Sequence, residues 1–417
     1  MKRFVLFVTA LSLFSGLFAQ EEEKKFGIKF SGFVKNDAFF DSRQTVSVRE
    51  GHFLLYPQPE ELDADENDIN AVPNFNILAI QTRLKGSISG PDAFGAKTSG
   101  AIEGAFFGHT NADINGFRLR HAFMKLKWES TELILGQYWH PFFVTGCFPG
   151  VISFNTGVPF QPFSRNPQMR LTKYFGDNLS VMLALQSQRD FTSSGGSTAL
   201  RNSSIPDLQF QVQYRTKNEE AKTEFLAGAG AGYKILKPEL SSTVYDTLGN
   251  PVTYQSEETI GGISGLAFVK YKNAAFTAKV EGVYGQNMTD LLMLGGYAQM
   301  DQDTTTGIWD YTTLDIMSFW TDIHTNGKKL QAGLFAGYTM NMGSANEFTG
   351  GTFARGTNIE YVYRVSPRVV FISGKTKLAL EAEYTTAAYG TPNETGEVEN
   401  AEEISNLRVL FGAFYSF

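Results

Sequence analysis

Cysteine is almost missing from this chain of 417 residues: Cys147 stands alone. That excludes an internal disulfide and any metal site built on clustered thiolates, even in a compartment that permits oxidation. Cys147 sits among aromatic residues, where a small apolar packing role is expected. Charge is also sparse, at 19% of residues, and the balance is acidic: −7 overall and near −9 once Lys2 and Arg3 are set aside. This excludes nucleic acid as a partner. No long apolar run follows residue 20, so a helical membrane protein is excluded. The five histidines, His52, His109, His121, His140 and His324, sit in no catalytic signature. The chain therefore reads as a non-enzyme, with no cofactor.

What the chain does have is glycine, aromatic residues and strict alternation. There are 41 glycines, and 14% of residues are aromatic. Leu208, Phe210, Val212 and Tyr214 alternate with Gln209, Gln211, Gln213 and Arg215. Phe276, Ala278, Val280 and Tyr284 alternate with Thr277, Lys279 and Glu281. Leu378, Leu380, Ala382 and Tyr384 alternate with Lys377, Glu381 and Glu383. A period of two is the mark of strands with two unlike faces. Leu78, Ile80, Thr82 and Leu84 show it too, which puts Arg83 and Lys85 on the polar face.

The two ends agree with each other. Met1 to Ala19 has a basic start and a short apolar stretch and is expected to be a secretory signal, leaving 20–417 as the mature domain. The last residues, Leu407 to Phe417, place Leu407, Val409, Phe411, Ala413, Tyr415 and Phe417 on one face. Such a strand crosses hydrocarbon only if both its edges are hydrogen-bonded, so the sheet must close on itself. The expected fold is all-β: a transmembrane antiparallel barrel of about sixteen strands, with short periplasmic turns and long external loops. Leu291 to Met300 is strand-like but would make the count odd, and is assigned to a loop. A barrel this wide is not filled by its own wall side chains.

Four segments carry a family resemblance: Asn76–Gly86 (NILAIQTRLKG), Ile102–Gly108 (IEGAFFG), Phe117–Phe123 (FRLRHAF) and Leu135–Pro141 (LGQYWHP). They resemble the porin superfamily, and within it the dicarboxylate-type (DcaP-like) trimeric outer-membrane porins. The resemblance implies a sixteen-stranded barrel in the bacterial outer membrane, a homotrimer and a third external loop folded into the pore. It fixes no substrate.

That third loop is expected at 141–167, with five prolines and seven residues of Phe or Cys type. It holds no acidic residue, and Arg165 is its single charge. The adjoining wall is basic: Arg83 and Lys85, then Arg118 and Arg120, then Arg170, interrupted by Glu103. Neighbouring strands lie about 5 Å apart, so these groups share one field. Guanidinium forks suit carboxylate and phosphate ligands, and rings of Arg or Lys favour anions. The same arginines also have the simpler role of pairing with glutamates and stiffening the wall. The opposite wall carries Glu224, Glu281, Glu381 and Glu383, and an open channel between the two walls would hold a transverse field.

Strand four changes parity near His121, which calls for a β-bulge and a packed histidine. Asp63, Asp65 and Asn67 mimic the start of a calcium loop, but Asp68 stands where Gly is needed. An acidic loop among divalent ions and lipopolysaccharide is the modest reading. The function expected is passive diffusion of small hydrophilic solutes with a preference for anions such as carboxylates. The alternative is a plugged or adhesive barrel without a permanent channel. Expected partners are small solutes, outer-membrane lipid and lipopolysaccharide, and two further copies of the chain.

Overall fold

The computed structural model describes residues 26–108 and 110–417. The expected signal segment and His109 lie outside the described residues. Sixteen antiparallel strands close a cylinder. In chain order these are β1 (Gly27–Asp41), β2 (Arg83–Ser89), β3 (Lys97–Ala105), β4 (Arg118–Lys127), β5 (Thr131–Trp139), β6 (Arg165–Phe175), β7 (Leu179–Gln186) and β8 (Asp207–Asn218). They continue as β9 (Thr223–Leu236), β10 (Ile260–Lys272), β11 (Phe276–Gln286), β12 (Trp309–Thr325), β13 (Leu330–Asn341), β14 (Ile359–Ser373), β15 (Thr376–Pro392) and β16 (Val398–Ser416).

Closure is between the two ends of the chain. Phe33 to Asp41 of β1 pairs with Ser416 to Arg408 of β16, while the other edge of β1 pairs with β2. The ladder between the first and last strands closes the sheet on itself, which is the condition for crossing hydrocarbon. Along β16 the alternation is clean. Leu407, Val409, Phe411 and Tyr415 are exposed on the outer wall, and Asn406, Arg408 and Leu410 are fully buried on the inner one. A row of aromatic rings, Tyr338, Tyr361, Tyr363 and Tyr384, crosses β13 to β15 with centroids 5.6 to 6.4 Å apart. Such a row suits an interfacial girdle.

Two strands depart from simple alternation. Asn74–Leu78 pairs with the outer half of β1, and β2 with its inner half. Between them residues 79–82 leave the ladder and absorb one extra residue, since Asp37 lies opposite Leu78 but Phe33 opposite Arg83. The slip reverses parity. Ile80, read as lipid-facing, is buried inside the barrel, while Phe75 and Ile77 face out. In β4, Glu103 lies opposite His121 but Gly104 opposite Leu119, so Arg120 is the extra residue of a bulge. Leu119 and Met124 are consequently both exposed despite odd spacing.

Residues 295–302 do form a strand. It pairs with β12 and with Thr352–Arg355 rather than completing the cylinder, because β11 bonds directly to β12. The short turns, at 128–131, 176–178 and 373–376 among others, lie at one end, and the long loops at the other.

Candidate functional site

The inside of the cylinder is occupied by chain. Residues 140–164, between β5 and β6, fold inward and bury Phe142, Phe143, Cys147, Phe154, Val158, Phe160 and Phe163. Phe53, Leu55 and Tyr56 from the first external loop join them, as do Met288 and Leu291 to Leu294 from the loop after β11. Phe154 has its ring centre 5.4 Å from Phe53 of the first external loop and 5.2 Å from Phe107, just beyond β3. Three loops thus share one apolar interior.

An irregular segment inside a barrel must have its backbone groups satisfied. The wall supplies the partners. Glu381 accepts the N–H groups of Ile152 and Ser153 at 2.8 and 3.0 Å. Asp322 accepts that of Gly150 at 3.1 Å, and Glu383 accepts Nδ2 of Asn155 at 2.8 Å. Lys35, Lys279 and Arg364 donate to the carbonyls of Ile152, Phe148 and Val158 at 2.7, 2.8 and 2.8 Å.

This corrects the idea of an acidic wall facing open water. Glu381 and Glu383 hold the loop, and Glu224 is paired with Arg215 at 2.7 Å and Lys270 at 3.2 Å. Glu281 is fully buried and accepts Nε1 of Trp320 at 3.3 Å. It joins no ion pair among the described residues and lies apart from the basic arc.

The basic arc is gathered but largely paired. Arg120 Nε lies 2.8 Å from Glu103 Oε1, and Arg83 Nε approaches the same oxygen at 3.4 Å. Lys85 is the cross-strand neighbour of Glu103 and has no ion-pair partner among the described residues. Arg118 and Arg165 both bind Asp190, Arg165 through Nε at 2.7 Å. Arg165 was expected inside the loop; it begins β6 instead, with its guanidinium 5.1 Å from the Trp139 ring. Arg170 sits towards the short-turn end, 2.8 Å from Gln168 and 5.1 Å from the Tyr138 ring. His121 is packed between Tyr138 and Trp139, each 5.3 Å away.

In the first external loop Asp63 accepts the N–H groups of Asp65 and Asn67 at 2.9 Å, so its oxygens close its own turn. Among the described residues no group of three His, Cys, Asp or Glu side chains is arranged to hold a metal ion.

Three cavities ring the short-turn side of the inserted loop. One of about 320 Å³ is lined by Lys35, Arg83 and Arg120 together with Trp139, Phe143 and Phe148, and by no carboxylate. A second, about 370 Å³, is lined by Lys279, His324, Arg368 and Lys377, again without a carboxylate. The third, also about 370 Å³, mixes Lys125, Arg170 and Arg215 with Glu132 and Asp177. On the external side the space between Arg49, Arg118, Arg165 and the rings of Phe53 and Phe154 shrinks to about 10 Å³.

The sequence reading missed Lys35, Asp190, Arg364 and Arg368, and placed Lys279 on a polar face without giving it a role. Lys35 was recoverable, since it alternates with an outward apolar neighbour, Val34. Asp190 was not, because a loop residue has no face to read.

No family model matches the sequence, and no curated protein does. Solved structures do match. The outer membrane channel DcaP of Acinetobacter baumannii superposes with a TM-score of 0.66 at 15% identity, over 95% of this chain and 99% of that one. The trimer form of OmpT of Vibrio cholerae gives 0.55 at 13%, over 94% and 100%. The anion-selective porin of Comamonas acidovorans gives 0.54 at 10%, again over 94% and 100%. The chain has the fold of the outer-membrane porins. Its outward apolar wall suits the bacterial outer membrane, where such barrels reside. The superpositions show the porin fold, and identity this low leaves substrate and selectivity to the chain's own residues.

Proposed function

We propose that this chain is an outer-membrane porin that passes small hydrophilic solutes by passive diffusion and favours anions such as carboxylates. One observation carries the reading. The two cavities lined by Lys35, Arg83 and Arg120 and by Lys279, Arg368 and Lys377 have no carboxylate on their surface. A water-filled space lined by cations lowers the energy of an anion and raises that of a cation. Arg83, Lys85, Glu103, Arg118, Arg120, Arg165 and Arg170 are proposed to border the path, and Glu281 to brace the wall beside it.

A transport role needs no catalytic group. Of the described histidines, His52, His140 and His324 pair with aspartates, and His121 packs between rings. Assembly as a homotrimer is proposed on the resemblance and on OmpT, a barrel of this fold solved in trimer form.

The second reading, a plugged barrel, is favoured by the apolar core that three loops build inside the cylinder. Planar-bilayer recording separates the two. Discrete steps with an anion-selective reversal potential in a salt gradient support the first reading. Steps with a cation-selective potential reject its selectivity, and no steps at all support the plugged barrel.

A further inference from the structure

One cavity bordered by the described residues lies outside the barrel. It is a cleft of about 560 Å³ on the outer wall of β5, β6 and β7, roofed by the loop 187–206. That volume falls within the range of about 300–1,000 Å³ typical of ligand sites. Its floor is Leu135, Met169 and Leu185, and Ile205 of the loop forms its side. Met169, Leu185 and Ile205 are all exposed. The floor is recessed at Gly136, which has a φ of +128° and no room for a side chain: a Cβ there would lie 2.2 Å from the Ala122 carbonyl.

The rim is of opposite character. Arg201, in the last turn of the short helix Thr198–Asn202, borders the cleft at the external end, with Ser187 and Ser204 beside it. The guanidinium of Arg201 is exposed and has no partner among the described residues. The helix itself is anchored from beneath by Leu200 and Ala199, packed against Leu236 and Tyr297.

We infer that this cleft binds a phosphorylated lipid of the outer leaflet, with an acyl chain on the Leu135, Met169 and Leu185 floor and a headgroup phosphate on Arg201. The argument is one of matched order. On a wall facing lipid, apolar surface lies at acyl depth and an unpaired cation lies above it, at headgroup depth. A guanidinium fork fits phosphate oxygens in pairs. A second copy of the chain would have to bury Arg201 against a carboxylate at the same height, whereas the lipid meets both features with one molecule. The inference needs only that this wall face lipid, not that the lumen conduct.

The test is native mass spectrometry of the full chain in detergent, titrated with lipid A or with phosphatidylcholine. Wild type should retain lipid A, whose phosphomonoesters carry net negative charge for the guanidinium, in preference to phosphatidylcholine, whose phosphodiester is offset by its own ammonium group. Arg201→Glu should weaken lipid A retention on the order of tenfold, the scale of one charge-assisted contact, with Arg201→Lys partly restoring it. Leu185→Asn, on the floor, should weaken it independently. Bilayer conductance of Arg201→Glu should match wild type, which keeps this result separate from that of the channel.

Unchanged retention in both Arg201→Glu and Leu185→Asn overturns the inference. So does inorganic phosphate that displaces lipid A as effectively as lipid A itself, since the acyl floor would then contribute nothing. Loss of the assembled state in Arg201→Glu with lipid retention intact also overturns it, and makes the face a contact between copies.

Discussion

The carboxylate of Glu381 on β15 accepts the backbone N–H of Ile152, 229 residues earlier in the chain, at 2.8 Å. The same carboxylate takes the next N–H, that of Ser153. A wall residue thus serves as the hydrogen-bonding partner that an irregular segment lacks. Glu381→Ala should leave two buried donors unsatisfied, at a cost of about 1–3 kcal/mol each. The barrel should still fold, since its ladder is untouched. The expected outcome is faster hydrogen exchange confined to residues 150–155. Exchange equal to wild type would show that the loop is held elsewhere.

At the closure seam, Arg408 of β16 binds Asp41 of β1 through Nε at 2.9 Å and Nη2 at 2.7 Å, with both side chains fully buried. Breaking such a pair by removing one partner strands a buried charge and typically costs roughly 3–5 kcal/mol. Arg408→Ala should therefore lower the midpoint of denaturant unfolding in detergent clearly. The double variant Arg408→Leu with Asp41→Leu should recover much of the loss.

Lys85 offers a cleaner probe of selectivity than its paired neighbours. It faces the lumen across from Glu103 and has no ion-pair partner among the described residues. Lys85→Glu should move the reversal potential towards cations and leave the melting temperature within a degree or two, because lumen charge tunes selectivity more than stability. An unmoved reversal potential would place the conducting path away from β2.

Acid should release the loop 187–206 at one point. Burial alone would raise the Asp190 carboxyl, but the guanidinium groups of Arg165 and Arg118 outweigh it and hold its pKa below the ordinary 3.8. A depressed carboxyl contributes stability that is fully present above the unfolded value. That contribution is lost as pH falls through the folded value, below 3.8. Protection of residues 188–192 from exchange or proteolysis should stay constant between neutral pH and about pH 5 and fall only in stronger acid. Asp190→Asn should show the reduced protection already at neutral pH.

The strands were legible because lipid and lumen impose opposite demands on consecutive residues. Gln209 and Gln211 are buried while Leu208, Phe210 and Tyr214 are exposed, the order that alternation demands. The bulge in β4 was legible for the same reason, as a change of parity near His121. The slip at 79–82 was not. Leu78, Ile80, Thr82 and Leu84 alternate without a break in sequence, and only the extra residue opposite β1 turns Ile80 inward. The inner-wall position of Glu381 and Glu383 could be read locally. Their work could not, because their partners, Ile152, Ser153 and Asn155, belong to a loop whose path depends on the finished cylinder. Arg118 and Arg165 were seen as charges, while the loop aspartate they share carries no periodic signal.

The apolar contact among Phe53, Phe154 and Leu291 to Leu294 has a consequence for any traffic through the cylinder. Each of the three loops covers the oily side of the other two. Lifting one alone would wet surfaces that the remaining pair cannot shield, so partial retreat is the costliest arrangement. Passage should accordingly behave as a single concerted event, with long quiet intervals and abrupt full-sized transitions in place of a graded leak.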